Sequence, residues 1–237
     1  MTDAIRMLLA LVGTIGFYLL AEQLYIRLHR SPLVHPVLVS IFGLIGVLTW
    51  LDWDYATYQQ DTFFIHFLLG PATVALAIPL YEQMALVRKM AVPLLIAALV
   101  GALVAGASAA LLSALWTGDT LLSLSLIAKS VTTPIAMDIS AVSGGSPSLT
   151  AGIVLFTGAI GCLLIPLVLR LMRVHDDAIH GFVLGLTAHG FGTAQAFDRS
   201  VTCGAFAGLA MSLTGVISAF VIPVTPLADW VRVIIGL

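Results

Sequence analysis

Apolar residues in this chain collect into separate runs of about twenty, the length an α-helix needs to cross roughly 30 Å of hydrocarbon. Such runs are read at 5–27, 33–51, 62–83, 91–116, 148–172 and 204–226. They do not form one large soluble core. Of the 237 residues, 60% are hydrophobic and only 9% charged, against about 25% charged in soluble domains. The fold class is an all-α polytopic membrane protein with about six full spans. Arg6 precedes an apolar run from Met7 to Ile26 that is too long for a signal-peptide core and lacks a small-residue cleavage site, so it reads as the first span.

Two less apolar stretches, 120–144 and 178–198, remain. Loops carrying Lys and Arg tend to face the cytoplasm. Arg27 and Arg30 follow the first run, Arg88 and Lys89 the third, and Arg170 and Arg173 close the run 148–172. The loop with Asp52, Asp54 and Asp61 has no basic residue, and the turn after 91–116 has only Asp119. The chain is therefore expected inside near 30, 88 and 173 and outside near 55 and 118. Stretch 120–144 must then enter and leave by one face, and it is too short for two crossings at about 1.5 Å per residue. A re-entrant hairpin or broken helix is expected, turning near Thr132, Thr133 and Pro134, because proline removes a backbone donor and disfavours helix before it. Non-helical backbone at that depth is tolerated where it is buried in protein or lines a watery cavity.

The two polar stretches resemble each other. Laying KSVTTPIAMDIS (129–140) over HGFGTAQAFDRS (189–200) pairs Thr133 with Thr193, Ala136 with Ala196, Asp138 with Asp198 and Ser140 with Ser200. Upstream, Gly101 falls on Gly161. Each window follows a long span, and the two spans run in opposite directions, as in an inverted repeat. The expected organisation is a scaffold over 1–90, a span plus broken element over 91–144, an inverted copy over 148–200 and a last span in 204–237. A third window, 69–80, puts Thr73 in the same register.

Broken helices offer ends with unpaired N–H groups and positive partial charge, which bind anions. Around them stand Ser130, Thr132, Thr133 and Thr193 as hydroxyl groups, and Gly190 and Gly192 as points of close backbone approach. Lys129 and His189, equivalent in the repeat, add a full and a titratable positive charge. Such a site suits a small carboxylate bearing a hydroxyl or keto group. Asp138 and Asp198 either balance Lys129, cap helix ends or carry a coupling proton or cation. Each residue also has a structural reading: Lys129 snorkelling to an interface, Asp138 as its satisfied partner, His189 packed and bonded to backbone, and the threonines bonded back to helical carbonyls. His66 reads as structural. Cys162 and Cys203 suggest neither a disulfide framework nor a metal site. No cofactor, metal or nucleic-acid partner is expected at a net charge of −2. Motifs of metalloproteases, serine hydrolases and phosphate-binding loops are lacking, so the chain does not read as an enzyme; an aspartyl pair of Asp138 and Asp198 is the one such option.

KSVTTPIAMDIS, GGSPSLTAGIVLFTGAIG (144–161), GLTAHGFGTAQAF (185–197) and LLGPATVALAIPLY (68–81) closely resemble the LrgB-like membrane proteins. The resemblance covers essentially the whole chain. That family includes bacterial proteins described as antiholin-like or as regulators of murein hydrolase export, and a plastid glycolate/glycerate translocator. The resemblance implies a multi-pass protein of the bacterial cytoplasmic membrane. It also implies a separate LrgA-like small membrane partner, since this chain starts at the first LrgB-like span, and a homodimer or hetero-oligomer. Lys129, Ser130, Thr132, Thr133 and Pro134 match its first motif, and His189, Gly190, Gly192 and Thr193 its second. Members often have Glu where this chain has Asp138 and Arg where it has Gln195, and Gln cannot supply the charge. Two functions follow: a secondary transporter of small organic monocarboxylates such as glycolate, glycerate, pyruvate or lactate, or a holin/antiholin-like regulator of permeability and murein hydrolase export.

Overall fold

A computed structural model describes residues 3–28, 34–75 and 77–236 of the chain. Arg30, and the side chains of His66 and Thr73 on which two sequence readings rest, lie outside what is described. The described residues form helices and no strand. The chain divides between Ala77 and Ile78 into two compact units.

The first unit contains α1 (Asp3–Arg27), α2 (Pro36–Trp50), α3 (Tyr55–Asp61) and α4 (Phe63–Ala75). Within it, Arg6 forks onto the buried carboxylate of Asp61, Nε to Oδ2 at 2.6 Å and Nη2 to Oδ1 at 3.3 Å. Thr14 and Tyr58 share a hydroxyl–hydroxyl bond of 2.7 Å. These bonds tie the short polar helix α3 to the first apolar helix.

The division falls after the first residue of α5 (Ala77–Glu82), and the second unit continues with α6 (Met84–Lys89), α7 (Ala91–Thr117), α8 (Thr120–Ser125), α9 (Thr133–Ser143), α10 (Pro147–Leu171), α11 (Asp177–Arg199), α12 (Val201–Val221) and α13 (Leu227–Ile235). Side-chain caps start several of them. Asp119, Ser146, Asp176 and Ser200 accept from the backbone N–H three residues on, each satisfying one orphan donor of a first turn.

Four helices are long and apolar enough to cross a bilayer: α1, α7, α10 and α12 with its extension to Val224. Within the expected span 33–51 the helix is shorter. α2 has 15 residues, about 22 Å of helix, and begins only at Pro36. Over the run 62–83 the described residues form α4, which contains Pro71, and α5, with residue 76 between them outside the described residues; a proline inside a helix deletes one ladder bond. α13 was not anticipated. Its Leu227 and Val231 are buried while Trp230 and Val233 are exposed, and Arg232 donates to the Ser143 carbonyl at the end of α9.

The two polar stretches both reverse direction. An unbroken helix from Asp177 to Arg199 would hold its ends roughly 33 Å apart. Instead Arg199 Nε lies 2.7 Å from Asp177 Oδ1, and the Ser200 hydroxyl donates to Asp177 Oδ2 at 2.6 Å. Arg199 also donates to the His175 carbonyl. The Ser200 hydroxyl first, and Arg199 second, hold the Asp177 carboxyl below the ordinary carboxylate range. α11 is thus two arms folded on each other, broken at His189, where φ is 40° and ψ −122°. The arms touch closely enough that a Cβ on Gly192 would meet the Leu184 carbonyl.

The first stretch folds back likewise. After α8 the chain runs on in three-residue turns, Lys129 N–H to Leu126 O and Val131 N–H to Ala128 O, then returns as α9 from Thr133. Gly144, at φ 90°, ends α9, and the Ser146 N–H donates to Ser125 Oγ at 2.9 Å. Thr150 of α10 locks this mouth, its hydroxyl 3.0 Å from the Ser125 carbonyl and 2.7 Å from Ser140 Oγ.

The reversal of α11 is open to direct measurement. Cysteines replacing Asp177 and Ser200 should be joined by a short thiol-reactive bridge, and the joined peptide should be found by mass spectrometry after proteolysis. A continuous helix would leave the two positions unlinked.

Candidate functional site

Lys129 and Ser130 lie in the turn of the first hairpin. Lys129 is half-buried, Ser130 is buried, and the Lys129 ammonium donates to Ser130 Oγ at 3.1 Å. Two residues on, Thr132 takes the N-cap position of α9 without using its side chain as a cap. Ala136 N–H closes the first helical bond onto the Thr132 carbonyl. The N–H groups of Thr133 and Ile135 therefore precede the ladder, and Pro134 has none to leave unpaired. The hydroxyl residues Thr132 and Thr133 are both half-buried. This tip presents one ammonium, two threonines and the positive end of a helix.

The second tip is His189. A positive φ on a residue with a Cβ costs of order 1–3 kcal/mol and persists only where the surroundings hold it. The hold is a bond from His189 Nε2 to the Val154 carbonyl of α10, 3.1 Å long. A carbonyl only accepts, so Nε2 carries the proton. The adjoining Gly158 gives the ring its space: a Cβ there would come within 2.9 Å of His189 Cε1. Thr193 donates to the His189 carbonyl and approaches Met211 Sδ at 3.7 Å. For His189 and Thr193 the structural readings of the sequence are thus realised, since both stitch the break. Gly190 is exposed and Gly192 buried.

Val154 brings the tips together. Its side chain packs in one cluster with Ile127, Ala128 and Val131 of the first tip, and its carbonyl holds the second.

Other residues stand apart. Gln195 donates from Nε2 to the Cys162 carbonyl of α10, and its buried Oε1 has no partner. Asp138 and Asp198 are exposed, and among the described residues no ion pair joins Asp138 to Lys129. No cluster of metal-ligating side chains occurs among the described residues. Sequence reasoning passed over Val154, which carries no polar side chain, and Thr214 of α12, whose buried hydroxyl has no partner. Neither has a local signal; only the fold makes them neighbours of the tips.

Comparison with known proteins places these residues in context. The LrgB-like family matches residues 14–227. Among similar proteins, the Bacillus subtilis protein YwbG is 35% identical over 216 residues, covering 91% of this chain and 96% of that relative. YxaC of the same organism is 33% identical over 230 residues, covering 97% and 98%. The holin-like protein CidB of Staphylococcus aureus is 28% identical over 224 residues, covering 94% and 97%. No solved structure matches the chain.

His189→Gly separates strain from chemistry. Relief of about 1–3 kcal/mol of backbone strain opposes the roughly 1–3 kcal/mol of leaving the Val154 carbonyl unpaired. Thermal unfolding in detergent should therefore shift stability by less than about 2 kcal/mol. His189→Ala loses the bond and keeps the strain, so it should unfold at the lower temperature of the two.

Proposed function

Because this chain belongs to the LrgB-like family, whose match spans residues 14–227, we propose that it governs the permeability of a bacterial cytoplasmic membrane. It does so as a saturable path for small organic monocarboxylates. The first half of this reading takes its support from the holin-like name of the staphylococcal relatives. The second half rests on one observation: two reversed hairpins meet on α10 at Val154, with the Lys129 ammonium, Thr132 and the first turn of α9 at the meeting point.

The chemistry supports a small anion. An ammonium and a helix N-terminus favour a carboxylate, and the half-buried threonines offer donors and acceptors for a hydroxyl or keto oxygen. In this reading the hairpins are the two halves of an inverted repeat, with 129 aligned on 189, and His189 and Lys129 both fall within their breaks. One repeat-containing unit moves against a scaffold that includes the early helices, so that the site opens to each side in turn. An LrgA-like membrane partner and a second copy of the chain belong to the same picture. Asp138 and Asp198, exposed and unpaired with Lys129, are candidates for coupling to a proton or cation.

The competing reading is an oligomeric holin/antiholin-like regulator that sets membrane leakiness and murein hydrolase export, and the relatives' printed name favours it. A simple pore needs amphipathic spans and has no use for paired hairpins whose tips carry a lysine and a strained histidine.

Reconstitution decides between them. Liposomes bearing the wild-type chain, with and without an LrgA-like partner, should take up labelled lactate, glycolate or pyruvate with saturation and retain a trapped dye. Lys129→Ala should lower uptake about ten- to a hundredfold, in keeping with a half-buried charge-assisted contact of about 1.5–3 kcal/mol, without altering thermal unfolding. Dye leakage that Lys129→Ala leaves unchanged, with no saturable uptake, would establish the pore.

A further inference from the structure

Thr214 lies on α12 with 1% of its surface exposed, and its hydroxyl has no hydrogen-bond partner. Other helical threonines of this chain behave differently. Thr14, Thr49, Thr187 and Thr193 each donate to the carbonyl four residues back, those of Ala10, Ile45, Val183 and His189. That local bond is the usual refuge of a threonine hydroxyl in an apolar helix. Thr214 does not take it, and its hydroxyl is left unsatisfied, a condition that native proteins rarely tolerate without cause.

The neighbours of Thr214 suggest the cause. Met211, one turn earlier on the same side of α12, receives the Thr193 hydroxyl of the second hairpin. Gly215, the next residue, lies against the δ-methyl of Ile135 in the first turn of α9, 3.0 Å from where a Cβ would stand. Ile135 is one of the two residues whose N–H groups precede the α9 ladder. Thr214 thus sits on a helix that, like α10 on the other side, touches both hairpins near their tips, between the contact to one and the contact to the other.

We infer that the Thr214 hydroxyl is a specificity-determining contact, reading the oxygen on carbon 2 of the transported anion while Lys129 and the first turn of α9 hold its carboxylate. This rests on the monocarboxylate reading of the preceding section. A hydroxyl both donates and accepts, so one group serves a 2-hydroxy and a 2-oxo acid alike. A site built around a buried polar group discriminates strongly against an analogue lacking the matching atom, because the group is then left unpaired.

The test compares lactate with propionate, which share a carbon skeleton and differ in the 2-oxygen. Both are followed as labelled substrates in liposomes bearing the wild type, Thr214→Val or Thr214→Ser. The wild type prefers lactate, Thr214→Val lowers that preference about tenfold, and Thr214→Ser restores it. Valine keeps the branched shape and deletes an unpaired hydroxyl, so its thermal unfolding temperature is not lowered. Equal losses for both anions, an unchanged preference or a lowered unfolding temperature in Thr214→Val each overturns the assignment while leaving the carrier intact. A wild type with no saturable uptake of either anion overturns the carrier reading itself, and the role of Thr214 with it.

Discussion

A chain reversal inside hydrocarbon leaves backbone groups with neither a helix nor water to pair them, and each such group costs several kcal/mol. That constraint shapes the second unit of this protein. Its two hairpins exist because short polar side chains do the pairing the helix gives up. Ser125, Ser140 and Thr150 share a buried knot at the mouth of the first. The Ser146 backbone is held by the same Ser125. In the second, Thr193 covers the carbonyl of the break and Asp177 clasps Arg199 and Ser200 at the mouth. A membrane helix would otherwise exclude these residue types. Their concentration at the reversals is what lets the chain turn back without leaving backbone groups unpaired.

The second hairpin needs a partner surface with almost no side chains. α12 supplies it through Cys203, Gly204, Ala205, Ala207, Gly208 and Ala210, all buried. The approach is so close that a Cβ on Gly181 or Gly185 would strike the carbonyl oxygens of Cys203 and Ala207. Dispersion contacts replace the hydrophobic drive that lipid does not provide. The same helix then continues past Met211 to the first hairpin. One smooth element thereby fixes both tips relative to each other, and α10 fixes them from the other side through Val154 and Gly158.

Much of this was legible in the sequence. The four long spans follow from apolar run length, and the first reversal follows from charge bookkeeping, since 120–144 had to enter and leave by one face. The apolar run at 33–51 overstates its helix, because hydropathy does not register that Pro36 sets where α2 starts. Gly190 and Gly192 are the residues that local preference offers for a break in 178–198, but positive φ falls on His189, which a distant carbonyl on α10 holds. The pairing of Arg199 with Asp177, 22 residues away, depends on the reversal and has no local signature. α13 could have been found: Asp229 and Arg232 stand three apart on a helix whose other face carries Leu227 and Val231.

Gln195 shows how the electrostatics of such a site are set. Lys129 is the one full positive charge that the described residues bring to the tips, since Arg199 is spent at the hairpin mouth. Related proteins often carry arginine at the position of Gln195, by the resemblance drawn from the motifs. Here the amide faces α10, donating to the Cys162 carbonyl and leaving Oε1 unpaired. An arginine would offer no acceptor, and its fork would add a second cation to the same wall. With glutamine, attraction for a carboxylate falls to a single ammonium and to the partial charges of helix ends. On the proposed reading this favours loose, rapidly exchanging capture of the anion over tight binding, because a carrier that holds its cargo too well cannot release it on the far side.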